Sequence, residues 1–215
     1  MSKLTEIESS NMTTNETKYK QKAKSSFKTK LDIYLFWKTL NNELTTISIE
    51  DFKDFKITDK LVGSYSNEYW QFEKDHKIQG IEIQNIEKSI HIWKQSNKEM
   101  IKTLITHYVE FSFPEVFPMK LFTELLENSF CSYCNISSKD ILILADKIML
   151  NKKNLRGWNM EIDRLNSNKE YSKENCCMSC YWCNNAKTDE FTPTEFALIG
   201  ITISKIWETR KNSDQ

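Results

Sequence analysis

"CYWCNNAKTDEF", residues 180–191, sets two cysteines three apart, follows them at once with Asn184 and Asn185, and places Lys187 on the next turn. A Cys-x-x-Cys knuckle lets two thiolates converge on one metal ion, but it supplies only half of a tetrahedral site. The other half is "CSYC", Cys131 and Cys134, with 45 residues between Cys134 and Cys180. Two knuckles in one segment, separated by enough chain to fold a hairpin or a helix, point to a structural four-thiolate zinc site. "NCCMSC" (175–180) complicates the pairing, because Cys177 and Cys180 make a knuckle that overlaps the one from Cys180 and Cys183. Spacing alone does not choose between them.

The whole chain bounds what can surround this site. Its 215 residues suffice for one ordinary domain and a smaller module. With 39% hydrophobic and 28% charged residues it has the apolar surface to fold, and 4 glycines and 3 prolines favour helices over a turn-rich β architecture. A net charge of zero excludes a wholesale polyanion binder, so any nucleic-acid surface must be regional. The N-terminal stretch has no apolar leader and no segment reaches the roughly 18 apolar residues of a membrane span, so a cytoplasmic protein without membrane association is expected. In such a reducing compartment six cysteines, all within residues 131–183, read as metal ligands rather than disulfides.

Residues 1–28 are polar, and "KYKQKAKSSFKTK" (18–30) carries six lysines. They read as a flexible, solvated lysine-rich tail, with a phosphate-touching basic arm as the alternative. From Leu31 the pattern changes to helical stripes: Leu31, Tyr34, Leu35, Trp37, Leu40 and Leu44; then Ile83, Ile86, Ile90 and Trp93; then Met100, Ile101, Leu104, Ile105, Tyr108 and Val109; then "MKLFTELL" (119–126) after Pro114 and Pro118. A helical domain over residues 29–125 follows, with Trp37, Trp70 and Trp93 as core anchors and no chemical motif. His76, His91 and His107 fall here, in no His-x-x-x-His or Glu-x-x-His pairing, and read as structural or surface histidines.

Residues 126–215 form the second module. Between its knuckles "SSKDILILADKIML" (137–150) predicts a helix capped by Ser137 or Ser138, with Ile141, Leu144, Ala145 and Ile148 inward. "WNMEIDRL" (158–165) predicts a strand with Trp158, Met160 and Ile162 on one face and Glu161 and Asp163 on the other. "NSNKEYSKEN" (166–175) is a polar loop. A short helix carrying Asn184 and Lys187 follows Cys183, and "TPTE" (192–195) opens the last helix with a Thr-x-x-Glu capping box and Pro193 at its first position.

The order knuckle, helix, Glu-x-Asp-Arg strand, polar loop with Tyr171 and Asn175, then "CYWCNNAK" resembles the HNH endonuclease family, the zinc-stapled branch of the ββα-metal nucleases. The resemblance covers about residues 128–196 and is specific in its second half. In that family an Asp-His pair ends the first strand, an asparagine stands five residues before the second knuckle, and Cys-x-x-Cys-Asn-x-x-Lys opens the helix. The resemblance implies an α+β chain: a mostly helical N-terminal domain plus a C-terminal ββα-metal module with a four-cysteine zinc site from Cys131, Cys134, Cys180 and Cys183. Cys176 and Cys177 become buried spares. It further implies that Asp163 and Asn184 ligate a catalytic Mg²⁺ or Mn²⁺, hard cations suited to oxygen donors. Asn175 would fix the loop and support the site, and Lys187 would point toward the same phosphate.

Where the family's motif has the histidine that acts as general base, this chain has Arg164, and a guanidinium cannot take a proton. Three readings compete. Arg164 clamps the scissile phosphate while the cation activates the water; Glu161, on the face of Asp163, is the base or a third ligand; or the module has lost its chemistry and only binds nucleic acid. Lys147, Lys152, Lys153 and Arg156 lie in an acid-free stretch (147–160) beside the motif and are the candidate phosphate-contacting surface, together with Lys187. The reading is an endonuclease that cuts nucleic acid, DNA favoured, by metal-assisted phosphodiester hydrolysis. Proteins of the resembled family serve phage defence, restriction and mobile elements, a setting in which a protein partner is also expected. A zinc-scaffolded adaptor for protein interaction is the alternative from another class.

Overall fold

The lysine-rich stretch read as a tail is helical. In the computed structural model, which describes residues 3–59, 61, 83–150 and 158–213, helix α1 runs Lys3–Leu40. The cause is a stripe hidden among the lysines: Tyr19, Ala23, Phe27, Leu31 and Tyr34 recur every three or four residues and are all buried, while Lys18, Lys20, Lys24 and Lys28 take the solvent side. Trp70 and His76 lie outside the described residues.

The chain divides into two units, Met1–Pro118 with Asn168–Tyr171, and Met119–Ser167 with Ser172–Gln215. The first unit contains α1, α2 (Ile49–Asp54), α3 (Ile83–Ser96), α4 (Lys98–His107), a π-helical turn (Tyr108–Ser112) and α5 (Phe113–Val116). Its core is aromatic: the Tyr19 ring lies 5.1 Å from Phe113 and the Phe27 ring 5.6 Å from Phe52. Of the expected anchors Trp93 is buried, its indole N–H donating to the carbonyl of Leu44 at 3.1 Å, whereas Trp37 is 37% exposed. Three buried tyrosine hydroxyls in this core find acceptors, as interior polar groups must: Tyr19 donates to the Phe117 carbonyl at 2.6 Å, Tyr34 to Asp51 at 2.5 Å and Tyr108 to Glu170 at 2.5 Å. Residues 168–171 are therefore an integral piece of this unit, and the amide of Tyr171 also donates to Ser26 Oγ at 3.1 Å.

The second unit is α+β. Its elements are α6 (Met119–Glu127), α7 (Ser138–Asp146), the antiparallel ribbon β1 (Glu161–Arg164) and β2 (Cys176–Ser179), α8 (Tyr181–Lys187) and α9 (Pro193–Asn212). The expected boundary after residue 125 falls one helix too late, because α6 packs on both strands through an amphipathic face whose Phe122 is buried. The Thr192–Glu195 capping box forms ahead of Pro193 in α9, and of the two serines offered as cap for α7 it is Ser137 that serves, in a reciprocal box with Asp140 that the sequence reading did not include. Ile148, expected inward, is 80% exposed. The helix α7 has already ended there in a Schellman turn, with Met149 N–H on the Leu144 carbonyl at 2.9 Å and Ile148 N–H on that of Ala145 at 3.0 Å. Ile148 itself takes the left-handed position at φ 57°, where glycine is usual, so no glycine marks the stop.

The core of this unit surrounds the cysteines. Ile136, Ile141, Leu144, Phe196 and Trp207 are buried with Cys131, Cys134, Cys180 and Cys183 in one cluster. Among the described residues no helix is long and apolar enough to cross a membrane.

Candidate active site

The first knuckle is a tight turn. Asn135 adopts φ 57°, Asn135 N–H returns to the Cys131 carbonyl at 2.9 Å, and Cys131 N–H bonds the Ile136 carbonyl at 3.0 Å. Ser132 N–H ties this turn to β2 through the Met178 carbonyl at 2.8 Å. The second knuckle is the first turn of α8: Cys180 is its N-cap, and its sulfur accepts from Cys183 N–H at 3.4 Å.

The sulfurs of Cys131, Cys134, Cys180 and Cys183 all lie within 4.8 Å of one another, and all four side chains are buried. Four atoms held 2.3 Å from a common centre in tetrahedral array stand about 3.8 Å apart, and Cys134 and Cys180 Sγ are 3.7 Å apart. The donor set therefore fits a tetrahedral, thiophilic ion, and Cys183, not Cys177, completes it. The four sulfurs compete for charge. Hydrogen bonding from Cys134 holds Cys131 far below the ordinary thiol range, while the bonds to Cys131 push Cys180 and Cys183 far above it. A cation at the centre would let all four ionise. Cys176 is buried outside the cluster; Cys177 is only half-buried, and burial raises its thiol.

Beside the cluster, one face of β1 meets one face of α8. Glu161 and Asp163 alternate onto the same side of the ribbon, and Asn184 and Lys187, three apart, share a helix face. The result is two rungs. Asn184 Nδ2 donates to Glu161 Oε2 at 2.5 Å, and Lys187 Nζ stands 3.5 Å from Asp163 Oδ2. Lys187 is only 3% exposed and also donates to the Arg164 carbonyl at 2.9 Å. Its ammonium is thus held inside the unit instead of on the surface where a phosphate contact was expected. Removing one partner of so buried a pair costs about 3–5 kcal/mol.

Tyr133, inside the first knuckle, was not singled out by the sequence. Its hydroxyl donates to Asp163 Oδ2 at 2.7 Å. The ring stands edge-on to Phe196 with centroids 5.0 Å apart, and its backbone lies against Gly200 of α9. A Cβ on Gly200 would sit 2.6 Å from the Tyr133 carbonyl oxygen, so this approach requires glycine. A tyrosine between two cysteine ligands carries no periodicity that distinguishes it from packing.

Asn175, buried, closes the loop between the strands: its Oδ1 accepts from Asn166 N–H at 2.8 Å and its Nδ2 donates to the Asn166 carbonyl at 3.0 Å. Strand alternation puts Arg164 on the side of Ile162, opposite Asp163. Of the expected basic patch, Lys152, Lys153 and Arg156 lie outside the described residues; Lys147 caps the end of α7 and donates to the Lys211 carbonyl at 3.3 Å.

No protein-family model matches the chain, and no curated protein matches it. Among solved structures, that of the rare-cutting HNH restriction endonuclease PacI, described for its perturbation of DNA, is similar: 29% identity over 44% of this chain and 67% of that one, with a TM-score of 0.37.

Proposed function

We propose that residues 119–215 form an HNH-like endonuclease module that hydrolyses phosphodiester bonds, DNA favoured over RNA, with zinc held by Cys131, Cys134, Cys180 and Cys183 and a divalent Mg²⁺ or Mn²⁺ held beside it. The observation that carries this reading is the pair of rungs between β1 and α8. A carboxylate strand face and an amide-bearing helix face are brought together next to a thiolate cluster that fixes the helix's first turn.

Asp163 and Asn184 are the holders of the cation. Asn184 donates through Nδ2 to Glu161, which leaves Oδ1 as the acceptor its amide can present. Such hard oxygen donors suit an ion that keeps part of its water shell. When bound, the cation supplies Lewis-acid stabilisation of the charge that builds on the phosphoryl oxygens. Glu161 orients the Asn184 amide, Lys187 balances the Asp163 charge, and Asn175 keeps the loop closed so that β1 and β2 stay in register. Arg164 and the stretch with Lys147, Lys152, Lys153 and Arg156 supply the cationic contacts to the phosphate backbone.

The test is cleavage of supercoiled DNA in Mn²⁺. Asp163→Ala should lower the rate by about a hundredfold or more while zinc content stays at one per chain. Undiminished cleavage by this variant would overturn the reading. The second reading, a module that binds nucleic acid without cutting it, is favoured by Arg164 in the base position and by the absence of histidine from residues 119–215. It prevails if the wild-type protein binds DNA and cuts none in either metal.

A further inference from the structure

We infer that Tyr133 is a positioning residue that decides which oxygen of Asp163 a cation receives; this rests on the reading of Asp163 as a ligand. The two groups that engage the carboxylate both engage the same oxygen. Tyr133 donates to Oδ2 at 2.7 Å and Lys187 Nζ stands 3.5 Å from Oδ2. Among the described residues Oδ1 takes neither a hydrogen bond nor an ion pair. Asp163 is thus anchored through one oxygen and presents the other, the arrangement of a monodentate ligand with its second oxygen tied back.

The distances separate the two partners' roles. A hydroxyl on a carboxylate at 2.7 Å is a short, directional, charge-assisted bond. Lys187 lies closer to the Arg164 carbonyl, at 2.9 Å, than to Asp163, so it contributes charge more than direction. Tyr133 in turn has little freedom. It sits between Cys131 and Cys134, its ring is set edge-on against Phe196, and its backbone rests on Gly200 with no room for a Cβ. The cysteine cluster therefore reaches the carboxylate through one residue, and the staple that holds the fold also aims the ligand.

Orienting partners of metal ligands typically govern about 10–100-fold in metal affinity or activity. Tyr133→Phe, which keeps the ring and removes the hydroxyl, should weaken Mn²⁺ binding about tenfold by titration calorimetry or electron paramagnetic resonance. Zinc content should be unchanged. In cleavage assays the Mn²⁺ concentration for half-maximal rate should rise by a similar factor, with the rate at saturating Mn²⁺ kept within a few-fold. In an Asp163→Ala background the same substitution should have no further effect on Mn²⁺ binding, because the residue through which Tyr133 acts is gone. Three results overturn the inference: Tyr133→Phe binding Mn²⁺ like wild type, an equal loss in both backgrounds, or loss of zinc, which would make the hydroxyl part of the fold. Wild-type protein that binds Mn²⁺ no better than Asp163→Ala overturns it as well. A protein that passes these binding tests yet cuts no nucleic acid leaves the positioning role standing and removes the nuclease reading. One that cuts while Tyr133→Phe is indistinguishable from wild type does the reverse.

Discussion

The two units hold themselves together by different means. The first spreads its cohesion over many modest contacts: packed rings of Tyr19, Phe27, Phe52, Tyr108 and Phe113, with tyrosine hydroxyls and lysine ammoniums satisfied in their midst. Lys30 is 4% exposed with Nζ 5.1 Å from the centre of the Phe52 ring, and burial pulls its pKa below the ordinary lysine value. Each such contact is worth about 0.5–1.5 kcal/mol. The second unit gathers its cohesion around four sulfurs, and a structural zinc contributes about 10–16 kcal/mol in small domains. That equals or exceeds the whole stability of an ordinary domain, about 5–15 kcal/mol. Damage to the first unit should therefore be graded, and loss of the metal from the second all-or-none.

The largest effect expected follows from that contrast. Cys183→Ser, or a strong chelator, should unfold the second unit, read by loss of the near-ultraviolet signal of Trp182 and Trp207, whose rings stand edge-on 5.0 Å apart. Helical signal from α1 should survive, and Cys176→Ser should stay close to wild type, as its sulfur lies outside the cluster. A folded, reduced sample without zinc would break the comparison at its root.

Next in size is Gly200→Ala. Alanine in place of glycine favours a helix by about 1 kcal/mol, but here the added carbon meets the Tyr133 carbonyl at 2.6 Å, and backbone does not move aside cheaply. Overpacking of this kind costs about 1–3 kcal/mol. A net drop in thermal midpoint is expected; a rise would show that the knuckle yields and that the metal alone sets the geometry.

The smallest effect belongs to the first unit. Hydrogen bonding from Lys38, then from Tyr34, holds the Asp51 carboxyl below the ordinary aspartate range. Its stabilising contribution is present above the unfolded value near about 4 and fades as pH falls through the lower folded value. The Asp51 side chain is 43% exposed, so solvent screens the pair to under about 1 kcal/mol. Asp51→Asn should lower stability near neutral pH by no more than that and flatten its acid limb, as denaturant titrations across the acid range would show.

What could be read in advance follows the same division. Local signals in the second unit were legible because each is written in adjacent residues: the Thr192–Glu195 capping box, a serine cap at residue 137 or 138, the Cys-x-x-Cys pairs, and the alternation of Glu161 and Asp163. The helical character of residues 18–30 was masked because lysines outnumber the buried stripe of Tyr19, Ala23 and Phe27. Lys187 read as a surface cation because a lysine on a short helix is ordinarily solvated, and its burial depends on Asp163 and the Arg164 carbonyl, which are distant in sequence. The bond from Tyr133 to Asp163 spans 30 residues and is invisible to any local pattern.

One piece of the first unit arrives late. Asn168–Tyr171 belongs to that unit although it is encoded between β1 and β2, about fifty residues after Pro118. At roughly 5–20 residues per second of synthesis, the hydroxyl of Tyr108 would wait roughly 3–12 s for Glu170, and that of Ser26 roughly 7–29 s for Tyr171. The helical unit is thus completed only after β1 has been translated. A fragment ending at residue 118 would carry every one of its helices and still lack its closing piece.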